Sequence, residues 1–226
     1  MKKINFSDPL INFLEFKKII TKIFKNNYIS EGVVSITFEK KLKNLINVKH
    51  CLITNSGSSA LVLALKALNI KQNDEVIVPN ITFQATANAV NLIGGKVVLC
   101  DISKENLLMD PNDLKNKINK KTKAIIFVNV SGRGENIFQI NKIAKEKNIP
   151  LIEDASEALF SKFGKQYYGT VGDIGCFSFA PNKIITTGQG GLLVTNNIKY
   201  YKKMIVFKNQ GKTNTSFANS DSYESE

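Results

Sequence analysis

The sequence predicts an α/β fold in which a mainly parallel sheet is flanked by helices. From about residue 50 onward, short apolar segments with strand character alternate with longer segments of helical character. This alternation is typical of parallel strands joined by crossover helices. Small and polar residues also follow several apolar segments directly, at the position where ligands bind in open α/β sheets. These residues are Ser56, Gly57 and Ser58, then Thr82 and Phe83, and finally Asp154.

Each element is predicted from its apolar pattern and from the residues at its ends. Residues 51–53 form a short strand, and residues 60–68 form a buried helix because apolar residues occupy nearly every face. Asp110 and Pro111 open another helix, with the aspartate as cap and the proline at the first position. The other predicted elements are strands at 75–78, 96–100, 123–128, 151–152 and 192–194 and helices at 82–92 and 137–147.

Three regions are predicted along the chain. Residues 1–30 form an N-terminal helical segment, in which an amphipathic helix at 9–24 packs on the domain or on a partner. Residues 31–210 form the α/β domain, and residues 211–226 form a polar tail with no apolar period. The sequence has no apolar segment of a secretory signal and no run near the roughly 20 residues that span a bilayer. A soluble cytoplasmic protein without a membrane partner is therefore expected.

The composition argues against two further classes of function. The net charge of +12 suggests nucleic-acid binding, but Arg133 is the only arginine among 31 basic residues, and arginine dominates specific base contacts. We therefore expect no nucleic-acid partner. Cys51, Cys100 and Cys176 form no C-x-x-C pair, and His50 is the only histidine. No metal site and no histidine-based triad is expected from these residues.

A turn of small residues at 55–59 leads into the helix predicted at 60–68. Backbone N–H groups at a helix start, together with the helix dipole, favour a phosphate. The hydroxyls of Ser56, Ser58 and Ser59 can add hydrogen bonds. A serine N-cap without any ligand explains the same residues equally well, so this segment alone leaves both interpretations open.

Two carboxylates, Glu153 and Asp154, stand at the end of the strand predicted at 151–152. A buried carboxylate needs a partner. The N–H of a pyridinium ring is one such partner, and the backbone N–H groups that a capping residue binds are another. Taken alone, this segment favours the capping interpretation.

The segment at 175–191 is the most informative. Lys183 follows an apolar stretch and precedes a glycine cluster at 188–191, where the backbone can approach a ligand closely. A partly desolvated lysine in such a place can form a Schiff base with an aldehyde cofactor. An ordinary surface lysine beside a glycine-rich hairpin is the alternative, and it is favoured in a lysine-rich chain when this segment is taken alone.

The three segments together are what pyridoxal 5'-phosphate requires. The helix start anchors the phosphate, and the lysine holds the aldehyde carbon. The aspartate keeps the pyridine nitrogen protonated, so that the ring acts as an electron sink. The order of the segments along the chain therefore predicts a pyridoxal-phosphate site.

On these residues the sequence resembles the DegT/DnrJ/StrS family of sugar aminotransferases, which share the aspartate-aminotransferase fold. The resemblance begins near Tyr28 and runs to about Gly211, and it implies that residues 31–210 are the large, cofactor-binding domain of this fold. The matching motifs are at 56–61, 78–79 with 82–83 and 85–89, 153–158, 169 with 172–175, and 177–179 through Lys183 to 188–191.

The resemblance implies two catalytic residues, Lys183 as the Schiff-base lysine and Asp154 at the pyridine nitrogen. It implies five further cofactor contacts: Gly57, Ser58 and Ser178 at the phosphate, Phe83 on the ring face and Glu157 near the phenolic oxygen. A core phenylalanine is the alternative for Phe83. Glu157 stands where the family often has glutamine, and a carboxylate there repels a phenolate unless it is protonated.

The sequence also departs from the family pattern. Residues 129–133 replace a histidine followed by Tyr-Gly, and Gln189 replaces a glutamate. Family members continue far beyond residue 211 with a small C-terminal domain, and in their homodimers each subunit reaches the cofactor of its partner. The resemblance therefore implies a C-terminally truncated or split gene product without the small domain.

The leading hypothesis is an aminotransferase that moves an amino group from glutamate to the keto group of a nucleotide-linked deoxysugar. Its product would enter surface polysaccharide or O-antigen synthesis. The run at 183–188 is most similar to perosamine-type enzymes, which suggests amination at C4. One alternative is a sugar dehydratase on the same fold, but those enzymes carry histidine in place of Lys183. The other is a catalytically inactive remnant that binds the cofactor weakly or only contributes to an assembly.

Overall fold

The computed structural model describes residues 11–25 and 31–211. The helices are α1 Phe13–Lys25, α2 Val33–Leu45, α3 Gly57–Ala67, α4 Ala85–Leu92, α5 Pro111–Lys117, α6 Ile137–Glu146 and α7 Ile198–Lys208. The strands are β1 His50–Thr54, β2 Glu75–Pro79, β3 Lys96–Cys100, β4 Thr122–Val128, β5 Leu151–Asp154, β6 Lys162–Phe163, β7 Gln166–Tyr167, β8 Ile174–Ser178 and β9 Gly191–Thr195. A 3-10 turn, Val130–Gly132, follows β4.

Seven strands form one sheet in the order β1-β9-β8-β5-β4-β2-β3. Strands β8, β5, β4, β2 and β3 pair in parallel with their neighbours in that order. Strand β9 is antiparallel to both β1 and β8, so it alone runs against the other six. The predicted fold class, a mainly parallel sheet flanked by helices, is confirmed.

Two hydrophobic clusters cover the two faces of the sheet, because alternate residues of each strand point to opposite sides. On β2, Ile77 belongs to one cluster, whereas Val76 and Val78 belong to the other. The first cluster includes residues of α2, α5 and α6, and the second includes residues of α3, α4 and α7. The domain thus has three layers, helices on both faces of one sheet. The pocket described below lies at the carboxyl ends of the parallel strands.

The apolar strands predicted from the sequence are all present, within one or two residues at most ends. The helix predicted at 82–92 begins later, at Ala85, because residues 82–84 belong to the loop that leaves β2. Helices α2 and α7 and the small β6–β7 hairpin were not predicted. In α2, Val33, Val34 and Ile36 stay exposed, so its apolar residues do not follow the helical period of a buried face.

The N-terminal helix predicted at 9–24 corresponds to α1, but no residue of α1 is buried. Residues 9 and 10 and the predicted tail from residue 212 onward lie outside the described residues. Within residues 11–25 and 31–211, no helix is both long and apolar enough to cross a membrane.

Candidate active site

A cavity of about 540 Å³ lies at the carboxyl ends of the sheet strands. This volume falls within the range of ordinary ligand pockets. Its walls come from the start of α3 and from the loops that follow β2, β4, β5 and β8. The structure places on this lining all seven residues that the family resemblance assigned to the site, namely Gly57, Ser58, Phe83, Asp154, Glu157, Ser178 and Lys183. Ser59, the further phosphate candidate, is not on it.

The start of α3 combines a cap with exposed backbone donors. The Ser56 Oγ accepts a hydrogen bond from the Ser59 N–H at 3.1 Å, so Ser56 is the N-cap that the capping interpretation described. The first-turn N–H groups of Gly57 and Ser58 have no acceptor within the helix. Because both residues line the cavity, the helix start can cap itself and still present donors to an anion.

Close packing explains the glycine at position 57. A Cβ atom built on Gly57 would lie 2.9 Å from the Cβ of Ser178 and 3.4 Å from the Phe177 carbonyl oxygen. The distance of 2.9 Å is shorter than real Cβ atoms show, so any side chain at position 57 would push α3 away from β8. The absence of a side chain therefore lets α3 and β8 meet and brings the Ser178 hydroxyl beside the helix start.

Asp154 ends β5 and is 5% exposed, with its carboxylate held by hydroxyl groups. Its Oδ2 accepts a hydrogen bond from the Thr86 hydroxyl at 2.7 Å. Its Oδ1 accepts one from the Ser156 hydroxyl at 2.6 Å and one from the Ser156 N–H at 3.2 Å. The last contact is a local turn of the kind that a capping residue makes, but the side chain also lines the cavity.

Glu153, the preceding residue, is fully buried and has a different environment. Its Oε1 accepts hydrogen bonds from the N–H groups of Val171 and Gly172, both at 2.7 Å, and its Oε2 accepts one from Gly169 at 2.8 Å. Burial raises the pKa of the Glu153 carboxyl, and the three backbone donors oppose that rise. Glu153 therefore fastens the loop at 169–172 and takes no part in lining the cavity.

Lys183 and Glu157 form an ion pair across the cavity wall, with Nζ and Oε1 3.4 Å apart. The lysine side chain is only 16% exposed, and the glutamate side chain is 46% exposed. The other carboxylate oxygen of Glu157 accepts a hydrogen bond from the Ser131 N–H at 2.8 Å. Lys183 is thus held inside the pocket, which the surface-lysine interpretation does not explain.

Phe83 stands at the rim of the cavity with 78% of its surface exposed. The alternative interpretation as a core phenylalanine is therefore wrong. An exposed aromatic face beside a cavity is available to stack on a planar ligand. Stacking on the cofactor stays a prediction.

Two site residues, Thr86 and Ser131, were not identified from the sequence. Thr86 is fully buried and connects Asp154 to Thr82, whose hydroxyl lies 2.7 Å from its own. The spacing of four between these threonines, both within the helix predicted at 82–92, was a signal that could have revealed their contact. Ser131 gave no such signal, because its contact with Glu157 depends on how two separate loops fold.

The donor set fits pyridoxal phosphate chemically. Helix-start N–H groups and two serine hydroxyls suit a phosphate, a buried carboxylate suits a pyridinium nitrogen, and a partly buried lysine suits an aldehyde carbon. All three groups line one cavity.

Comparison with known proteins relates the chain to enzymes of sugar metabolism. Residues 13–225 match the model of the DegT/DnrJ/EryC1/StrS aminotransferase family. The chain is 42% identical to GDP-perosamine synthase of Escherichia coli O157:H7, over 93% of this chain and 58% of that protein. It is 36% identical to UDP-4-amino-4,6-dideoxy-N-acetyl-beta-L-altrosamine transaminase of Campylobacter jejuni, over 91% of this chain and 55% of that protein. The chain thus spans little more than half the length of these relatives.

Solved structures show the same fold. PseC of Helicobacter pylori, an aminotransferase involved in the biosynthesis of pseudoaminic acid, superposes with a TM-score of 0.86 at 31% identity, over 93% of this chain and 57% of that one. A GDP-4-keto-6-deoxymannose-3-dehydratase with a trapped PLP-glutamate geminal diamine gives a TM-score of 0.87 at 29% identity, over 93% of this chain and 56% of that one. The similarity therefore extends to an aminotransferase and to a dehydratase.

Proposed function

We propose, since this chain belongs to the DegT/DnrJ/EryC1/StrS aminotransferase family, that it transfers an amino group to a nucleotide-linked keto sugar with pyridoxal phosphate as cofactor. The observation that carries the proposal is the cavity itself. It is lined by the α3 start, by Asp154 and by Lys183, which come from distant parts of the sequence. An anion site, a carboxylate and a lysine in one pocket are the three requirements of this cofactor.

Each side chain has a role in the proposal. The N–H groups of Gly57 and Ser58 and the hydroxyls of Ser58 and Ser178 would bind the phosphate. Asp154 would hold the proton on the ring nitrogen, and Phe83 would cover one ring face. Pyridoxal phosphate supplies an electron sink when it is bound. Lys183 Nζ would hold the aldehyde carbon and, once released from it, move the proton of the substrate.

Relatives support a more specific substrate. Proteins named GDP-perosamine synthase from Escherichia coli and Vibrio cholerae are 42% and 38% identical to this chain. We therefore propose a GDP-linked 4-keto sugar as acceptor and amination at C4, for surface polysaccharide or O-antigen synthesis. Glutamate is proposed as donor, supported by the PLP-glutamate adduct in a structure of the same fold. A homodimer in the cytoplasm completes the proposal.

A dehydratase is the second candidate because a dehydratase structure superposes as well as the aminotransferase does. Lys183 argues against it, since the dehydratases of this fold carry histidine there. Lys183 therefore favours amino transfer over dehydration.

The first experiment tests the cofactor site. The chain is incubated with pyridoxal phosphate, reduced with borohydride, digested and mapped by mass spectrometry. We expect a phosphopyridoxyl group on Lys183, and its loss in Lys183→Ala. Lys165, an exposed lysine of the β6–β7 hairpin, provides the control substitution Lys165→Ala. A label that stays on another lysine would overturn the assignment.

The second experiment tests the reaction and its substrate. The chain and its cofactor are supplied with glutamate carrying a nitrogen-15 amino group and with either a GDP-linked or a UDP-linked 4-keto sugar. We expect the heavy nitrogen in the GDP-linked amino sugar. Transfer only to the UDP-linked sugar would reject the nucleotide, and loss of a sugar hydroxyl without nitrogen transfer would support the dehydratase.

A further inference from the structure

The ion pair between Lys183 and Glu157 joins three loops that are far apart in sequence. Lys183 lies in the loop after β8, Glu157 in the loop after β5, and Ser131 in the turn after β4. Glu157 uses one carboxylate oxygen for the Ser131 N–H and the other for the Lys183 amine. A carboxylate with both oxygens engaged has a fixed position, so the amine that it binds is restrained as well.

The backbone of the turn is shaped for this contact. Ser131 and Gly132 both have left-handed conformations, with φ of 52° and 77°. A Cβ atom on Gly132 would lie 3.3 Å from the Glu157 carbonyl oxygen and 3.0 Å from the Ser161 Oγ. The turn therefore packs directly against the segment that carries Glu157, and a left-handed serine costs energy that the surrounding contacts must offset.

We propose that Glu157 is a positioning residue that holds the Lys183 amine inside the pocket and slows its reaction with aldehydes until the ion pair opens. The lysine side chain is 16% exposed, so an aldehyde reaches Nζ mainly from the cavity. On that side Nζ donates its hydrogen bond to Glu157. In the ion pair Nζ is an ammonium group without a lone pair. Reaction with an aldehyde therefore requires Nζ to release a proton to Glu157 or to solvent, which ends the ion pair. The inference deepens the proposed function, because it assigns to Glu157 a role toward the lysine that the cofactor would use.

The expected size of the effect is modest. The glutamate is about half exposed, and ion pairs of this kind contribute roughly 0.2–1 kcal/mol, which corresponds to a rate factor of up to about fivefold. Salt screens such a pair, so its effect must weaken at high ionic strength. A purely structural role of Glu157 would not produce that salt dependence.

The test uses formaldehyde with cyanoborohydride as a small aldehyde probe, on the chain prepared without pyridoxal phosphate. Mass spectrometry gives the methylation of Lys183 relative to the exposed Lys165 in the same digest. We expect Glu157→Gln to raise this ratio about threefold. Raising the salt concentration should raise the ratio in the parent and leave it nearly constant in Glu157→Gln. Glu135→Gln, which removes the same charge outside the cavity lining, should behave as the parent.

A second variant tests the turn without changing either residue of the ion pair. Gly132→Ala introduces a side chain where the turn meets the Glu157 segment, and it should raise the Lys183 ratio because the Ser131 N–H is displaced. An unchanged ratio in Glu157→Gln, or an equal salt response in parent and variant, overturns the proposal. Borohydride labelling of Lys183 by pyridoxal phosphate is scored separately, so a failure of the cofactor assignment is distinguishable from a failure of this inference.

Discussion

Glu153 and Asp154 are neighbours on one strand, both almost fully buried, yet they do different work. The partners of Glu153 are three backbone N–H groups, which can only donate. The side-chain partners of Asp154 are hydroxyls of Thr86 and Ser156, which can donate or accept. The environment of Glu153 therefore requires a hydrogen-bond acceptor, whereas that of Asp154 can accommodate either an acceptor or a donor. Glu153 therefore stabilises the fold, whereas Asp154, which lines the cavity, is available to bind a cofactor.

The largest expected effect comes from removing the acceptor at Glu153. Glu153→Ala leaves three N–H groups without their acceptor, one in a buried residue and two in partly buried ones, and an unpaired buried donor costs about 1–3 kcal/mol. We therefore expect the free energy of unfolding to fall by at least about 3 kcal/mol, as measured by urea titration. Glu153→Gln retains one acceptor oxygen and should lose less. A loss below about 1 kcal/mol in Glu153→Ala would show that the loop at 169–172 does not depend on this carboxylate.

This comparison also shows how far the sequence can be interpreted. The alternation of strand residues predicts that Glu153 and Asp154 face opposite sides of the sheet. It does not predict which side bears the pocket, because that depends on the order of strands and on the loops beyond them. From the residues alone the pair was ambiguous, and only the family resemblance assigned Asp154 to the cofactor.

The sequence correctly predicted that the residues after the strands lie together, and the reason is physical. In a parallel sheet the carboxyl ends of the strands meet at one edge, so residues just after them become neighbours. Gly57, Asp154 and Lys183 follow that rule. Thr86 does not, because it lies within α4. Ser131 does follow a strand end, but its contact with Glu157 depends on the left-handed conformation of the turn after β4. The contact between Ser131 and Glu157 could not be predicted from local pattern.

An intermediate effect on stability is expected for Asp154→Asn, combined with a large effect on function. The Thr86 hydroxyl can turn to accept from the new amide, so the free energy of unfolding should change by only about 1 kcal/mol. An amide supports a pyridinium proton poorly, so amino transfer should fall by more than about tenfold, equivalent to roughly 1.4 kcal/mol of barrier. Urea titration and the nitrogen-15 transfer assay measure the two quantities.

Two results would contradict the proposed difference between Glu153 and Asp154. A loss of stability in Asp154→Asn as large as that in Glu153→Gln would mean that Asp154 also belongs mainly to the fold. Activity within about tenfold of the parent would mean that it is only a turn residue.

The smallest expected effect on function is that of Thr86→Val, which tests whether Thr86 orients the Asp154 carboxylate. Thr86 is fully buried and donates to Asp154 at 2.7 Å, while the Thr82 hydroxyl lies 2.7 Å from its own. Thr86→Val keeps the shape of the side chain but removes the hydroxyl, so one carboxylate oxygen loses its donor at a cost of about 1 kcal/mol. Thr86→Ser retains the hydroxyl and is the matched control. If Thr86 positions Asp154, the valine variant should bind pyridoxal phosphate several-fold more weakly, whereas the serine variant should bind it as the parent does. A visible-absorbance titration with the cofactor measures this affinity. Equal affinities for the valine and serine variants would show that Ser156 alone suffices to orient the carboxylate. The environment of Asp154 would then tolerate even the loss of a buried hydrogen-bond partner.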